Sequence, residues 1–175
     1  GLICATPTAG SAGVVSGVLL AVIDRLKLTH QQQLDFLFTA GAFGLVIANN
    51  ASISGAEGGC QAEVGSASAM ASAALVAASG GTPDQSAQAV AITIKNMMGL
   101  ICDPVAGLVE GPCVKRNALG SSQAFISADM ALAGIRSVIP PDEVIHAMYQ
   151  VGRQMPQIFK ETAEGGLAVT PTAQR

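Results

Sequence analysis

Charge is what this sequence has least of. Only 12% of its 175 residues are Asp, Glu, Lys or Arg, against 50% hydrophobic, and the mean hydropathy is +0.47. Soluble domains average about a quarter charged, so the chain either spans a membrane or hides apolar surface against a partner. The long apolar run that a span needs is also lacking. Phe36 to Ala48 is interrupted by Thr39 and followed by Asn49-Asn50; Val14 to Ile23 contains Ser16 and ends at Asp24. A spanning helix takes about 20 predominantly apolar residues. Length therefore argues against the membrane and for a surface covered by a partner.

Other absences narrow the function classes. A net charge of −3 with scattered Lys and Arg argues against nucleic acid. Four cysteines in a chain of this length make no disulfide scaffold, which points to a reducing cytosol. There is no G-x-S-x-G elbow, and neither histidine sits in a suggestive context, so a Ser–His–Asp triad has no support. His30 stands at a helix cap, where a solvated role is expected, and His146 lies mid-helix, where a structural one is. The glycine-rich segments match neither a Walker A loop nor a dinucleotide fingerprint. No basic n-region or cleavage site precedes Gly1, which opens the chain without Met inside an apolar phrase; the stretch reads as excised from something longer.

Strand signals are scarce, with Leu2-Ile3-Cys4 and Gly99-Leu100-Ile101 the only short extended candidates. Helix punctuation is plentiful. Small residues Ala5 to Gly13 lead into an apolar segment Val14 to Leu28. Thr29-His30-Gln31-Gln32 caps a second helix running to about Asn50, with Leu34, Leu37, Phe38 and Leu45 at helical spacing. Cys60 to Ser79 is dominated by Ala, Ser and Gly, which favour helix and permit close helix–helix approach. Gly80-Gly81-Thr82-Pro83 stops that helix and starts another to about Met98. Helices are also expected over Val114 to Gly134 and from Ile139-Pro140-Pro141 to Gln154, followed by a short turn and an irregular tail. These signs predict an all-α fold: one compact domain, 1–175, of six or seven helices, some nearly fully buried.

Chemistry concentrates between Ser54 and Asn117. Three of the four cysteines lie there, each within two residues of Gly or Pro, with the spacing Cys60-x41-Cys102-x10-Cys113. Three soft thiolates on tight turns suit an iron–sulfur cluster that leaves one iron without a protein ligand. That iron would be a Lewis acid with room for substrate. A closed zinc site fits less well, because the C-x2-C pairs and a fourth ligand are missing. Inert core cysteines remain an alternative, as free Cys is among the most buried residue types; Cys4 reads that way. Glu57, Glu63, Asp103 and Glu110 surround the cysteines, with Lys115 and Arg116 as possible ion-pair partners. The Thr8 to Gly13 helix start could hold a carboxylate or phosphate on its free N–H groups, or simply cap a core helix.

At these residues the chain resembles a known family. The phrases are Ala5-Thr6-Pro7-Thr8-Ala9-Gly10-Ser11-Ala12-Gly13, Gly55-Ala56-Glu57-Gly58-Gly59-Cys60-Gln61-Ala62-Glu63, Met98-Gly99-Leu100-Ile101-Cys102-Asp103-Pro104 and Gly111-Pro112-Cys113-Val114-Lys115-Arg116-Asn117, with Ile139-Pro140-Pro141 and Glu164-Gly165-Gly166 further on. They are similar to the catalytic α-chain, or C-terminal domain, of the bacterial iron–sulfur-dependent L-serine dehydratases. Where that family's first loop usually reads Pro-Thr-Asn-Gly, this chain has Ala9. The resemblance implies a [4Fe–4S] cluster on Cys60, Cys102 and Cys113, and dehydration of L-serine to pyruvate and ammonia. It also implies a β chain or N-terminal domain as partner, a homo-oligomer and a cytoplasmic setting. The substrate carboxylate would meet the loop with Thr8, Gly10 and Ser11, or Lys115 or Arg116. The general base is expected outside this stretch. Two rivals stay open: a pyridoxal phosphate enzyme, for which Lys95 is the one lysine in a helical, partly apolar setting but no phosphate loop precedes it, and a helical interaction or zinc-binding domain without catalysis.

Overall fold

The computed structural model describes residues 2–175; Gly1, on which the reading of the chain's opening rests, lies outside them. Among the described residues seven α-helices follow one another: α1 (Ala12–Ile23), α2 (His30–Asn50), α3 (Gly55–Gly58), α4 (Cys60–Ala78), α5 (Pro83–Met97), α6 (Cys113–Leu132) and α7 (Pro141–Gln154). Short 3-10 turns sit at Val105–Gly107, Gln157–Phe159 and Gly166–Val169. Among the described residues there is no strand, only one isolated parallel bridge between Cys102 and Lys160. The all-α reading holds. No helix among them is long and apolar enough to cross a membrane.

α4 is the axis. Every residue from Cys60 to Val76 is buried, and α1, α2, α5, α6 and α7 all pack on it. Its Ala, Ser and Gly side chains are what allow so many neighbours at short range. Two of its serine hydroxyls are absorbed locally: Ser68 donates to the Val64 carbonyl at 2.7 Å and Ser72 to that of Ala69 at 2.8 Å. Thr93 on α5 donates to Ser72 at 3.0 Å. Such bonds back onto the helix remove the cost of a buried hydroxyl. Against α6 the approach depends on Gly120, where a Cβ would lie 2.5 Å from Ser68 Oγ and 2.9 Å from Val64 Cγ1. Gly120→Ala should therefore destabilise the fold by about 1–2 kcal/mol. Overpacking costs roughly 1–3 kcal/mol and the better helix propensity of Ala returns up to about 1. A lower urea midpoint at unchanged slope checks this.

Several boundaries differ from the sequence reading, for physical reasons. α1 stops at Ile23, not Leu28. The Leu28 N–H bonds the Ile23 carbonyl at 2.9 Å while Lys27 takes a left-handed φ of 53°. That closure normally uses Gly, so no Gly marks it in the sequence. On α2 the buried stripe is Phe36, Ala40, Gly44 and Ile47, while Leu37, Phe38 and Leu45 are exposed. Gly44 explains the choice of face: a Cβ there would lie 2.8 Å from Met70 of α4. The N-termini of α2 and α5 carry full capping boxes, Thr29 with Gln32 and Thr82 with Gln85, which fix those starts.

Candidate functional site

One end of α4 gathers four stretches of chain that are distant in sequence. Gly59 separates α3 from α4 with φ 74° and ψ −178°, a conformation open in practice only to glycine. This bend places Cys60 as the first residue of α4. Cys113 likewise opens α6, just after Pro112. Both thiols thus sit at helix N-termini, where the dipole favours a thiolate. Cys102 arrives on an extended loop pinned from two sides. Its N–H bonds the Phe159 carbonyl at 2.8 Å, and its own carbonyl accepts from Glu161 N–H at 2.9 Å. Gln61 staples the same loop, since its N–H bonds the Leu100 carbonyl at 2.9 Å and its Oε1 accepts from Gly99 N–H at 2.9 Å.

Cys60, Cys102 and Cys113 are all buried, and Cys4 is exposed. Ligand atoms of Cys60, Glu63 and Cys102 lie within 4.8 Å of one another, a grouping able to hold a metal ion. The Cys60 thiol is held below its usual value by a hydrogen bond from Cys102 and then by Arg116, against the effect of burial. Cys102, as the donor, is pushed strongly up, and burial adds to that. Cys113 faces the same charges: burial and the Cys60 thiolate raise it to about 11. Cys60 is thus the most readily ionised of the three, and a bound cation would favour the thiolate form of the whole set.

Carboxylates ring the sulfurs. Glu63, one turn into α4, is buried and accepts a short hydrogen bond from the Thr8 hydroxyl. Thr8 in turn shares a 2.9 Å hydrogen bond with the fully buried Ser11. Gly10 leaves space for the Glu63 carboxylate, since a Cβ there would stand 2.5 Å from Oε1. So the loop expected to receive an external carboxylate holds one from the chain itself. Gly55 lies where Glu63, Cys102 and Glu161 meet: a Cβ on it would be 2.8 Å from Glu63 Oε2, 3.3 Å from Cys102 Sγ and 3.4 Å from Glu161 Oε2. Asn117 ties this loop to α6, donating to the Gly10 carbonyl at 2.7 Å. Arg116 is largely buried beside Asp103, whereas Lys115 is exposed, as are His30 and His146.

Glu161 was not singled out by the sequence reading. It follows a 3-10 turn with φ 65°, and nothing in its neighbours announces a site; only the bridge to Cys102 brings it in. Burial, then the nearby Glu63, raises its pKa above the usual 4.5. A raised carboxyl stabilises the fold below 4.5 and loses that contribution as pH rises through its folded value. Glu161→Gln should therefore raise the melting temperature of the metal-free protein at neutral pH. The gain should vanish in acid, where the wild-type carboxyl is also neutral. Paired thermal melts across pH read this directly.

Two cavities flank the cluster of side chains. One, about 470 Å³, lies between α3, α7 and the tail, with Glu57, Tyr149, Arg153 and Lys160 in its wall. The other, about 430 Å³, opens beside Gly10, Val109 and Asn117. The thiols line neither.

Residues 1–168 match the family described as "Serine dehydratase alpha chain". The chain is 70% identical over 174 residues to the "Probable L-serine dehydratase, alpha chain" of Bacillus subtilis (strain 168), covering 99% of this chain and 58% of that protein. It is 60% identical over 172 residues to the protein of the same description from Latilactobacillus sakei, covering 98% of this chain and 82% of the relative. It is 50% identical over 175 residues to the "L-serine dehydratase, alpha chain" of Peptoniphilus asaccharolyticus, covering all of this chain and 60% of that protein. The chain therefore spans about three fifths of the first and third of these relatives. With nearly its whole length matched, the chain belongs to the serine dehydratase alpha-chain family.

Proposed function

We propose that this chain is the cluster-bearing part of an L-serine dehydratase, and that Cys60, Cys102 and Cys113 hold a [4Fe–4S] cluster. The observation that carries the reading is the burial of these three thiols at the mouths of α4 and α6 and on the pinned loop between them, while Cys4 stands exposed. The donor set fits the group. It offers soft sulfur ligands, two helix N-termini to favour thiolates, and a guanidinium beside Cys60 to offset the added negative charge. When bound, the cluster supplies a Lewis-acidic iron that makes the serine hydroxyl a better leaving group.

The chain's own residues do the rest. Gly10, Thr8 and Ser11 form the wall next to Glu63, and Thr8 fixes the direction of the Glu63 carboxylate. Gln61 and the Cys102–Glu161 bonds keep the loop closed, so that the site stays shielded from bulk water. Loss of the α-proton and of hydroxide from serine gives aminoacrylate and water. Tautomerisation and hydrolysis then give pyruvate and ammonia. The base for the α-proton we place outside this stretch, since both histidines are exposed and far from Cys60 in sequence. The part of the relatives' length that this chain does not span is expected to cover the bare apolar side chains of α1 and α2, where Leu20 and Phe38 are each 72% exposed; self-association and a cytoplasmic setting belong to the same proposal.

Anaerobically prepared full-length enzyme should release pyruvate and ammonia from L-serine. It should lose this activity on exposure to air or chelator and regain it with ferrous iron and sulfide. Activity that survives a chelator, or that needs zinc or pyridoxal phosphate, would rule the reading out.

A further inference from the structure

Arg116 holds a place that a substrate-binding cation would not. It lies one turn into α6, close after Cys113, with its side chain 14% exposed. A single amino group, Nη1, donates to the Ile101 carbonyl at 2.9 Å, stands 2.7 Å from Asp103 Oδ1 and points at Cys60 Sγ at 3.7 Å. The Asp103 contact is ionic more than directed, because Oδ1 has no partner in hydrogen-bond geometry. Asp103 is itself fixed in place. Its side chain is 2% exposed, and its Oδ2 accepts the Leu167 N–H at 2.7 Å. Gly166, at φ 61°, packs so close that a Cβ would stand 2.5 Å from Oδ2. The tail thus clamps Asp103, Asp103 clamps Arg116, and Arg116 is aimed at a sulfur. Turning the guanidinium outward to meet a ligand would leave the Asp103 charge buried and unpaired, which is strongly unfavourable.

Resting on the cluster reading above, we propose that Arg116 is a positioning residue that sets the reduction potential of the bound cluster through the Cys60 sulfur, with Asp103 and the Leu167 backbone as its bracket. Hydrogen bonds to ligand sulfurs, and charge nearby, are among the main determinants of such potentials. A fixed positive charge favours the reduced, more negative form. A hydrogen bond to the sulfur also draws electron density away from the iron, weakening the iron–sulfur bond. The same guanidinium compensates for the carboxylates at Glu63 and Glu161, which act in the opposite direction.

The test uses anaerobic full-length enzyme, wild type beside Arg116→Gln, Arg116→Lys and Arg25→Gln. The last removes an exposed cation just beyond the far end of α1 and controls for net charge. Redox titration followed by electron paramagnetic resonance gives the midpoint, and resonance Raman gives the iron–cysteine stretches. Arg116→Gln should show a more negative midpoint and stiffer iron–cysteine bands. Arg116→Lys, which keeps the charge but not the planar fork, should recover part of the shift, and Arg25→Gln should match wild type. If Arg116→Gln does not accumulate, the Lys variant decides by the same two readouts. An unchanged midpoint and unchanged bands in the variants, with a raised KM for serine and preserved kcat, would make Arg116 a substrate ligand and overturn the proposal. If wild type itself binds no iron, the cluster reading fails, and this one fails with it.

Discussion

Alanine in place of Cys60, Cys102 or Cys113 should remove the cluster and the dehydration of serine together, whereas alanine at Cys4 should leave both largely intact. The separation follows from position. The three are buried at the convergence of α4, α6 and the Cys102 loop, and Cys4 is exposed on the leading segment. A cluster held by three sulfurs has no spare ligand, so losing one leaves an iron without support. Cys102 also has a local role. Its backbone joins the loop to the tail through Phe159 and Glu161, and those bonds survive the substitution, so Cys102→Ala should fold while failing to retain iron. Visible absorbance, iron content and pyruvate formation, measured on all four variants, check the pattern. Retention of cluster and turnover in Cys102→Ala, or loss of both in Cys4→Ala, would exclude the assignment.

Gly59→Ala should be nearly as damaging, through backbone alone. At φ 74° and ψ −178° the residue lies in a region that side chains avoid, at a cost of about 1–3 kcal/mol. A Cβ would also meet the Leu100 carbonyl oxygen at 2.9 Å and Met155 Sδ at 2.6 Å. The methionine can yield, but the carbonyl cannot without breaking its bond to Gln61 N–H. We expect a loss on the order of 3 kcal/mol or more from strain and overpacking combined. Because Cys60 is the next residue, iron retention should fall as well. Chemical denaturation of the metal-free protein isolates the stability effect, and reconstitution with iron and sulfide reports the second. A variant with wild-type stability would show that the bend does not depend on glycine.

The helical architecture was legible because its signals are local. Thr29 with Gln32, and Thr82-Pro83 with Gln85, announce two helix starts, and the Ala/Ser/Gly run of α4 announces a helix that others can approach closely. What escaped was set by contacts across the fold. The apolar residues of α2 include Leu37 and Phe38 as well as Phe36, and only the seat of Gly44 on Met70 decides which face turns inward. The stop of α1 was hidden because Lys27 does the work of a glycine. At the site, the phrases around the cysteines drew attention to the right stretch of chain. The pairing of Thr8 with Glu63, 55 residues apart, and the arrival of Glu161 beside Cys102 have no local trace. Arg116 was visible only as a cation near a cysteine. Its commitment to Asp103, Ile101 and Cys60 belongs to tertiary structure.

The central claim is that three cysteines of this chain carry a cluster with one iron left for substrate. Mössbauer spectroscopy of anaerobic, iron-57-loaded enzyme, with and without L-serine, tests it most directly. About four irons and four sulfides per chain are expected, with one iron spectroscopically distinct and shifted when serine is added while the other three stay as they were. Zinc in place of iron in an active preparation, or four equivalent irons indifferent to serine, would contradict it.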